Sequence, residues 1–371
     1  MSEYQYYEFR AVDKPLDRAA QNALRAISSR ARITATSFVN HYEWGDLKGD
    51  PGEFMERWFD LHLYLANWGS RRLMMRLPAR LVARADLDHL LDGIDWVELR
   101  QAGENLILDI GRDEVELYND DSWDDDAGHL TALAPLRADV LAGDLRLFYL
   151  LWLAAVEVED VADDVVEPLP GIAPLTSALE HFAEFFAIDA DLVRAAAERG
   201  ADDSPTADEQ RKILAAIPER DKIELLRRVA EGDASVVAEL RRALRGKRPV
   251  STPGRTAGAL RERARQFAEA RERAHAEKRE ADRRRQAEEA EKALRGRLDA
   301  LRRRGEAVWH EIETEIERRN PKGYDRATSL LADLKVLAAE TGGEDDFRRR
   351  LADIRARHQK KGRFVDRLAS F

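Results

Sequence analysis

Between residues 259 and 304 the chain holds no proline and a single glycine, Gly296, and it is built mainly of alanine, arginine and glutamate. That composition predicts one uninterrupted helix, which over roughly 46 residues at about 1.5 Å each would reach about 70 Å. Its apolar seam is thin. Leu260, Ala264, Phe267 and Ala274 start it, and no larger apolar residue follows until Leu294, Leu298 and Leu301. Pairs such as Glu269 with Arg273 and Glu288 with Lys292 supply local support. A continuous two-stranded coiled coil needs sustained apolar heptads, so this helix is expected to stand in solvent alone. The rest of the chain must fold on either side of it.

Residues 1–128 mix strand and helix patterns. Tyr4, Tyr6 or Tyr7, Phe9 and Ala11 suit a strand, and Lys14-Pro15-Leu16 opens a helix with apolar positions at Leu16, Ala19, Ala23, Leu24 and Ile27. Residues 33–39 read as a further strand. Asp50-Pro51-Gly52-Glu53 holds a capping residue, a first-turn proline and a reaching glutamate, which predicts a helix over 54–61. Strands over 63–68 and 72–77 join at Gly69-Ser70, and a hairpin over 96–100 and 106–110 turns at Gly103. This part is therefore expected to be α+β, or α/β with a mixed sheet. Residues 129–245 carry helical patterns only, including a uniformly apolar helix over 147–156 and stripes at Leu175 to Phe186, 192–196, 213–217, 223–229 and Val236 to Leu244. Residues 246–258, with Pro249, Pro253 and three glycines, read as a linker and hinge. Beyond the long helix, three short stripes in 305–371 predict a small helical bundle, interrupted at Asn320-Pro321 and Gly342-Gly343.

Charge divides along the same line. From residue 241 to 371 there are 36 Lys and Arg against 23 Asp and Glu, which leaves 25 against 48 in residues 1–240. An acidic body repels nucleic acid and anionic membrane whereas a basic arm attracts both. With no cysteine in the chain, disulfides, iron–sulfur clusters, thiolate zinc sites and a cysteine nucleophile are excluded. A reducing, cytoplasmic setting fits. The opening MSEYQYYEF has no basic leader before an apolar run, so no signal peptide is expected, and the apolar run at 147–156 is about half the length of a membrane span.

Two stretches carry a resemblance. The opening Tyr4-Gln5-Tyr6-Tyr7-Glu8-Phe9-Arg10-Ala11-Val12-Asp13, with Trp44-Gly45-Asp46 and Leu65-Ala66-Asn67-Trp68-Gly69, resembles a group of uncharacterised bacterial proteins. The end of the chain, with Tyr324-Asp325-Arg326-Ala327, Leu330-Leu331-Ala332-Asp333-Leu334, Phe347, Arg357-His358 and Lys360-Lys361, resembles the C-terminal region of bacterial SWIM zinc-finger proteins. The zinc motif of that family needs three cysteines and a histidine, which this chain cannot supply. What the resemblance implies here is a shared docking bundle.

Catalytic patterns are missing. The eight histidines are dispersed, without the i, i+4 spacing around a glutamate that a zinc hydrolase uses. The acidic run at 119–126 misses the register of a calcium loop. Gly45 to Gly52 leads into a helix but lacks the GxxxxGK[ST] pattern, and there is no GxSxG elbow. No cofactor is expected. Tryptophans 44, 58, 68, 96 and 123 crowd into the first 128 residues, and Trp44 and Trp68, each followed by glycine, are the candidates to line a cleft. The candidate partner-binding set is Arg348, Arg349, Arg350, Arg355, Arg357, His358, Lys360, Lys361 and Arg363, because acidic residues thin out there. The expected function is a non-enzymatic adaptor that docks a protein partner through its basic arm and C-terminal bundle. Nonspecific nucleic-acid binding by the arm is the alternative, and an enzyme or ligand sensor with a site in the tryptophan-rich domain is the third reading.

Overall fold

The computed structural model describes residues 3–115, 128–200, 206–233, 235–245, 253–368 and 371. They divide into two units, residues 1–270 and 271–371. The first is an α+β unit built on an antiparallel sheet of seven strands, β1 (Gln5–Arg10), β2 (Arg32–Ile33), β3 (Ser37–Tyr42), β4 (Leu61–Ala66), β5 (Arg71–Pro78), β6 (Val97–Ala102) and β7 (Asn105–Arg112). Their order is β2-β3-β1-β4-β5-β7-β6. The tyrosine-rich opening strand is thus central, and both of its faces are covered.

Local chemistry moves some boundaries from the sequence pattern. The strand expected at 33–39 divides in two because a turn, closed by Thr34 N–H to Ser37 O at 2.9 Å, separates β2 from β3. The helix α1 (Arg18–Ile27) starts later than Lys14-Pro15-Leu16, because the Leu16 amide donates to Ala35 O and the Asp17 carboxylate caps Ala20 N–H. Asp50 caps α2 (Pro51–Arg57) as expected, but the helix stops before 61, where Asp60 N–H joins Arg10 O and the chain enters β4.

The strands alternate in the ordinary two-residue period. One face presents Tyr6, Leu61, Leu63, Leu65, Leu73, Met75, Leu77, Leu106, Leu108 and Ile110 to a helical layer. That layer contains α3 (Arg84–Asp88), α4 (His129–Leu133), α5 (Pro135–Leu141), α6 (Arg146–Glu157), α7 (Ser177–Phe185) and α8 (Ala190–Ala196), and every residue from Leu147 to Val156 is buried. Sheet and helices therefore share one core across residue 128. The other face is apolar at one end only, where Phe9, Phe38, Met74 and Ile107 pack under α1 and α2 through Leu24, Phe54, Met55 and Phe59.

Gly69 makes the turn from β4 to β5 at φ +94°, and a Cβ there would lie 2.8 Å from Val115 O and 2.9 Å from Val115 N. Gly69→Ala is expected to cost about 2–3 kcal/mol from backbone strain and that collision. Gly103→Ala, at φ +59° in open space, should cost about 1 kcal/mol. Urea unfolding midpoints of the two variants check the difference.

The helices α9 (Ala207–Ala216), α10 (Glu219–Ala230) and α11 (Ser235–Arg245) complete the helical stretch. The stripe expected on α10 does not enter the core, since Ile223, Leu226 and Val229 are 60%, 68% and 52% exposed. Helix α12 (Ala257–Arg304) is continuous, and the division between the units falls within it. Its residues 268–293 are exposed almost throughout, with Glu280–Arg284 and Glu291–Arg295 ion pairs along them. The expected linker at 246–258 is corrected in its described part. Residues 253–258 are anchored by Glu167 N–H to Arg255 O, Ala257 N–H to Val165 O and Gly258 N–H to Asp163 O, and Ala257, Leu260 and Ala264 enter the first core. Residues 246–252 and the acidic run at 119–126 lie outside the described residues.

In the second unit, α13 (Glu306–Glu317), α14 (Pro321–Thr341) and α15 (Glu344–Arg357) carry the three expected stripes. Asn320 caps Gly323 N–H, and Gly342 ends α14 at φ +73°. A fourth helix, α16 (Gly362–Arg367), is too short to show in the periodicity. It adds Phe364, and Leu368 just beyond it, to a core of Leu301, Val308, Ile312, Ile316, Tyr324, Leu331, Phe347, Leu351 and Ile354.

Candidate functional sites

The polar end of the second sheet face forms a cleft. Tyr7 on β1 pairs with Tyr64 on β4, and Tyr64 pairs with Arg72 on β5, which pairs with Gly111 on β7. The two phenol rings lie 4.7 Å apart. Tyr7 OH donates to Asp46 Oδ1 at 2.6 Å and Tyr64 OH to Gln5 Oε1 at 3.1 Å, while Gln5 Nε2 donates to Gly45 O. Burial, reinforced by the hydrogen bond to Asp46, holds the Tyr7 hydroxyl well above its ordinary range, and burial pushes Tyr64 up to about 12. Both phenols are neutral donors at physiological pH.

Below them His62 is fully buried and stacks on Phe9 at 3.9 Å. Its Nδ1 lies 3.0 Å from Glu8 O, and since a carbonyl only accepts, Nδ1 carries the proton. Nε2 is then an acceptor, and among the described residues it has no hydrogen-bond partner. Burial lowers the His62 pKa to about 3, so the ring is neutral. Arg72 is held by Asp109, with Nε donating at 2.7 Å. Tyr7, Asp46, His62, Tyr64 and Arg72, with Ser70, Asp113, Arg71 and Arg112 at one end, line a cavity of about 500 Å³. Gly111, opposite Arg72, puts no side chain into it.

Trp68, 48% exposed, reaches this cleft through Ser70: its Nε1 donates to Ser70 Oγ at 2.9 Å, and Ser70 Oγ donates to Asp113 Oδ1 at 2.5 Å. Trp44 is 75% exposed and outside the cavity lining. No sequence motif marks Tyr7, His62, Tyr64 and Arg72 as a set. The signal available is strand alternation, which puts His62 with Tyr64 on one side of β4, but the register that joins three strands is tertiary.

The basic candidates in the second unit separate into two groups. Arg348 pairs with Glu344 and Asp345, Arg349 with Asp346, and Arg350 with Glu306 while lying over the Trp309 ring. Arg355 donates to Leu368 O, Arg357 pairs with Glu313, and the buried His358 ring has its Nε2 2.6 Å from Glu313 Oε2. Lys361 pairs with Glu317 at 2.7 Å. Among the described residues, the side chains of Lys360 and Arg363 make no hydrogen bond or ion pair. Lys361 and Arg363 meet Arg319, Arg367 and Tyr324 around a cavity of about 430 Å³. Arg319, which no sequence pattern marks, stands beside the Asn320-Pro321 helix start.

A third hollow, of about 610 Å³, is lined by Glu157, Glu159, Asp163, Asp189 and Asp191 with Arg261 and Arg265. Arg261 is a clamp there, donating to Val156 O and Val161 O and pairing with Asp163. His129 and His181, far apart in sequence, meet with Nδ1 and Nε2 2.9 Å apart. No group of three or more His, Asp or Glu among the described residues could hold a metal ion, and no helix among them is long and apolar enough to cross a membrane. No family profile, curated protein or solved structure matches this chain.

Proposed function

We propose that the protein is a non-enzymatic interaction protein whose C-terminal unit docks an acidic segment of a protein partner in the basic cleft around Tyr324. The observation that carries this reading is the convergence of Arg319, Lys361, Arg363 and Arg367 on one cavity. Arg319 and Lys361 share the one carboxylate of Glu317 and Arg367 pairs with Asp325, which leaves Arg363, and Lys360 near it in sequence, without an ion pair among the described residues. Residues 348–350 contribute little, because their guanidinium groups already pair within or beside their own helix. Charge complementarity of this kind governs encounter and orientation more than affinity.

Fluorescence anisotropy of the full chain with a labelled deca-glutamate peptide tests the reading. Lys360→Glu with Arg363→Glu is expected to weaken binding about tenfold, and Arg348→Ala with Arg349→Ala less than about twofold. Random duplex and single-stranded DNA measured in parallel should bind only weakly and with steep salt dependence. Nanomolar, sequence-selective DNA binding at physiological salt would replace the docking reading with nucleic-acid recognition.

A further inference from the structure

The sheet cleft of the first unit is built on a different chemistry from the basic cleft. We propose that it is a binding site for a small organic cation, an ammonium or guanidinium group that donates hydrogen bonds. Its polar atoms are mainly acceptors. The Nε2 of fully buried His62 accepts and has no partner among the described residues. Asp46 and Asp113 each receive their hydroxyl donor, Tyr7 and Ser70, on Oδ1. The Oδ2 atom of each makes no hydrogen bond among the described residues.

Most donors that line the cleft are already committed; the exception is the buried Nε of Arg71, which has no partner among the described residues. Tyr7 and Tyr64 give their protons to Asp46 and Gln5, and Arg72 gives two N–H groups to Asp109. Arg71 and Arg112 are drawn to the helix-covered side, where they donate to the carbonyls of Phe185 and Phe186 and lie over the rings of Phe185 and Trp96. With Arg72 tied to Asp109 and the Arg71 and Arg112 side chains toward the helix-covered side, an anion on the open side of the cleft would meet the Asp46 and Asp113 carboxylates and an imidazole lone pair. A cation would meet those same groups together with two neutral phenol rings, whose faces attract positive charge. An unsatisfied buried acceptor is costly, and a ligand N–H removes that cost. The wider field agrees: residues 1–270 carry 34 Lys and Arg against 50 Asp and Glu, which raises the local concentration of cations. The cavity, at about 500 Å³, lies in the range of small-molecule sites.

Isothermal titration of the full chain with benzylamine and with agmatine tests this, with phenylacetate as the anionic counterpart. Saturable binding of at least one amine is expected, with no detectable binding of phenylacetate. Asp46→Asn and Asp113→Asn keep an oxygen for their internal donors and should each weaken the amine about tenfold. Gly111→Leu should abolish binding while leaving the circular dichroism spectrum intact, because a Cβ at Gly111 comes no closer than 4.0 Å to Arg72 and further bulk enters the cavity. The ¹⁵N resonance of His62 Nε2 should move on amine addition. Failure of both amines to bind, equal binding of phenylacetate, or affinity unchanged in both Asp→Asn variants would overturn the proposal. None of these outcomes bears on the peptide experiment at the C-terminal cleft.

Discussion

Arg255→Met is expected to lower the unfolding free energy by about 2–4 kcal/mol, because it removes the nearest charge partner of a buried carboxylate. The Glu167 side chain has no solvent exposure. It accepts from Tyr149 OH at 2.5 Å, from the Arg255 amide at 2.8 Å, and from Arg255 Nη2 at 2.8 Å. The same guanidinium caps the end of α8, donating to Ala195 O at 2.6 Å and Ala196 O at 2.9 Å. With the Arg255 guanidinium removed, the carboxylate keeps Tyr149 OH, the backbone amide of residue 255 and the more distant charge of Arg199, 3.8 Å away, and the two carbonyls lose their donor. The companion variant Arg255→Met/Glu167→Gln isolates the charge, since the amide oxygen still accepts from Tyr149. It should recover roughly half of the loss, and equilibrium urea unfolding of the single and double variants measures the coupling. A loss below about 1 kcal/mol in Arg255→Met would mean that Arg199 or water takes the place of Arg255 at Glu167.

Acid should destabilise the first unit through His62. The folded state holds this imidazole neutral, with its pKa lowered from 6.5 to about 3 by burial and further by the charge of Arg72, against the opposing hydrogen bond to Glu8 O. The unfolded chain therefore binds the extra proton first. The stabilisation is complete above about pH 6.5 and is lost as pH falls through the window down to about 3, amounting to roughly 4–5 kcal/mol over the whole span. His62→Phe keeps an aromatic ring against Phe9 and removes the titration. Its unfolding free energy should fall less steeply than that of the parent between pH 6.5 and 4, although its value at pH 7 is lower for want of the bond to Glu8. Equal slopes in urea titrations across that range would show that His62 protonates without unfolding.

Elements whose limits are set by local chemistry were legible in the sequence. The Asp50 cap, the turns at Gly69 and Gly103, the uniformly apolar α6, and the stops at Asn320-Pro321 and Gly342-Gly343 all lie where the pattern puts them. The long helix was legible to within two residues at its start and none at its end. Strand order was not, because the pairing of Tyr7 with both Asn40 and Tyr64 follows from tertiary packing and leaves no mark on its neighbours. The cleft was hidden for the same reason. The basic cluster was visible as composition, but composition does not say which cations are paired: Arg348 and Arg349 are, whereas Lys360 and Arg363 are not among the described residues. Leu260 and Ala264 were visible as the start of a thin seam, and only the fold shows that they belong to the first core.

That last placement has a consequence for synthesis. The first core contains Tyr6 near the beginning of the chain and Ala264 far along it, so a ribosome adding about 5–20 residues per second needs roughly ten to fifty seconds to deliver both. Until the opening turns of α12 emerge, Glu167 is without Arg255, and Leu260 and Ala264 cannot cover their apolar neighbours. A nascent chain halted before residue 255 has most of its sheet and helices but not the segment that closes them. Such an intermediate exposes the kind of surface that chaperones hold.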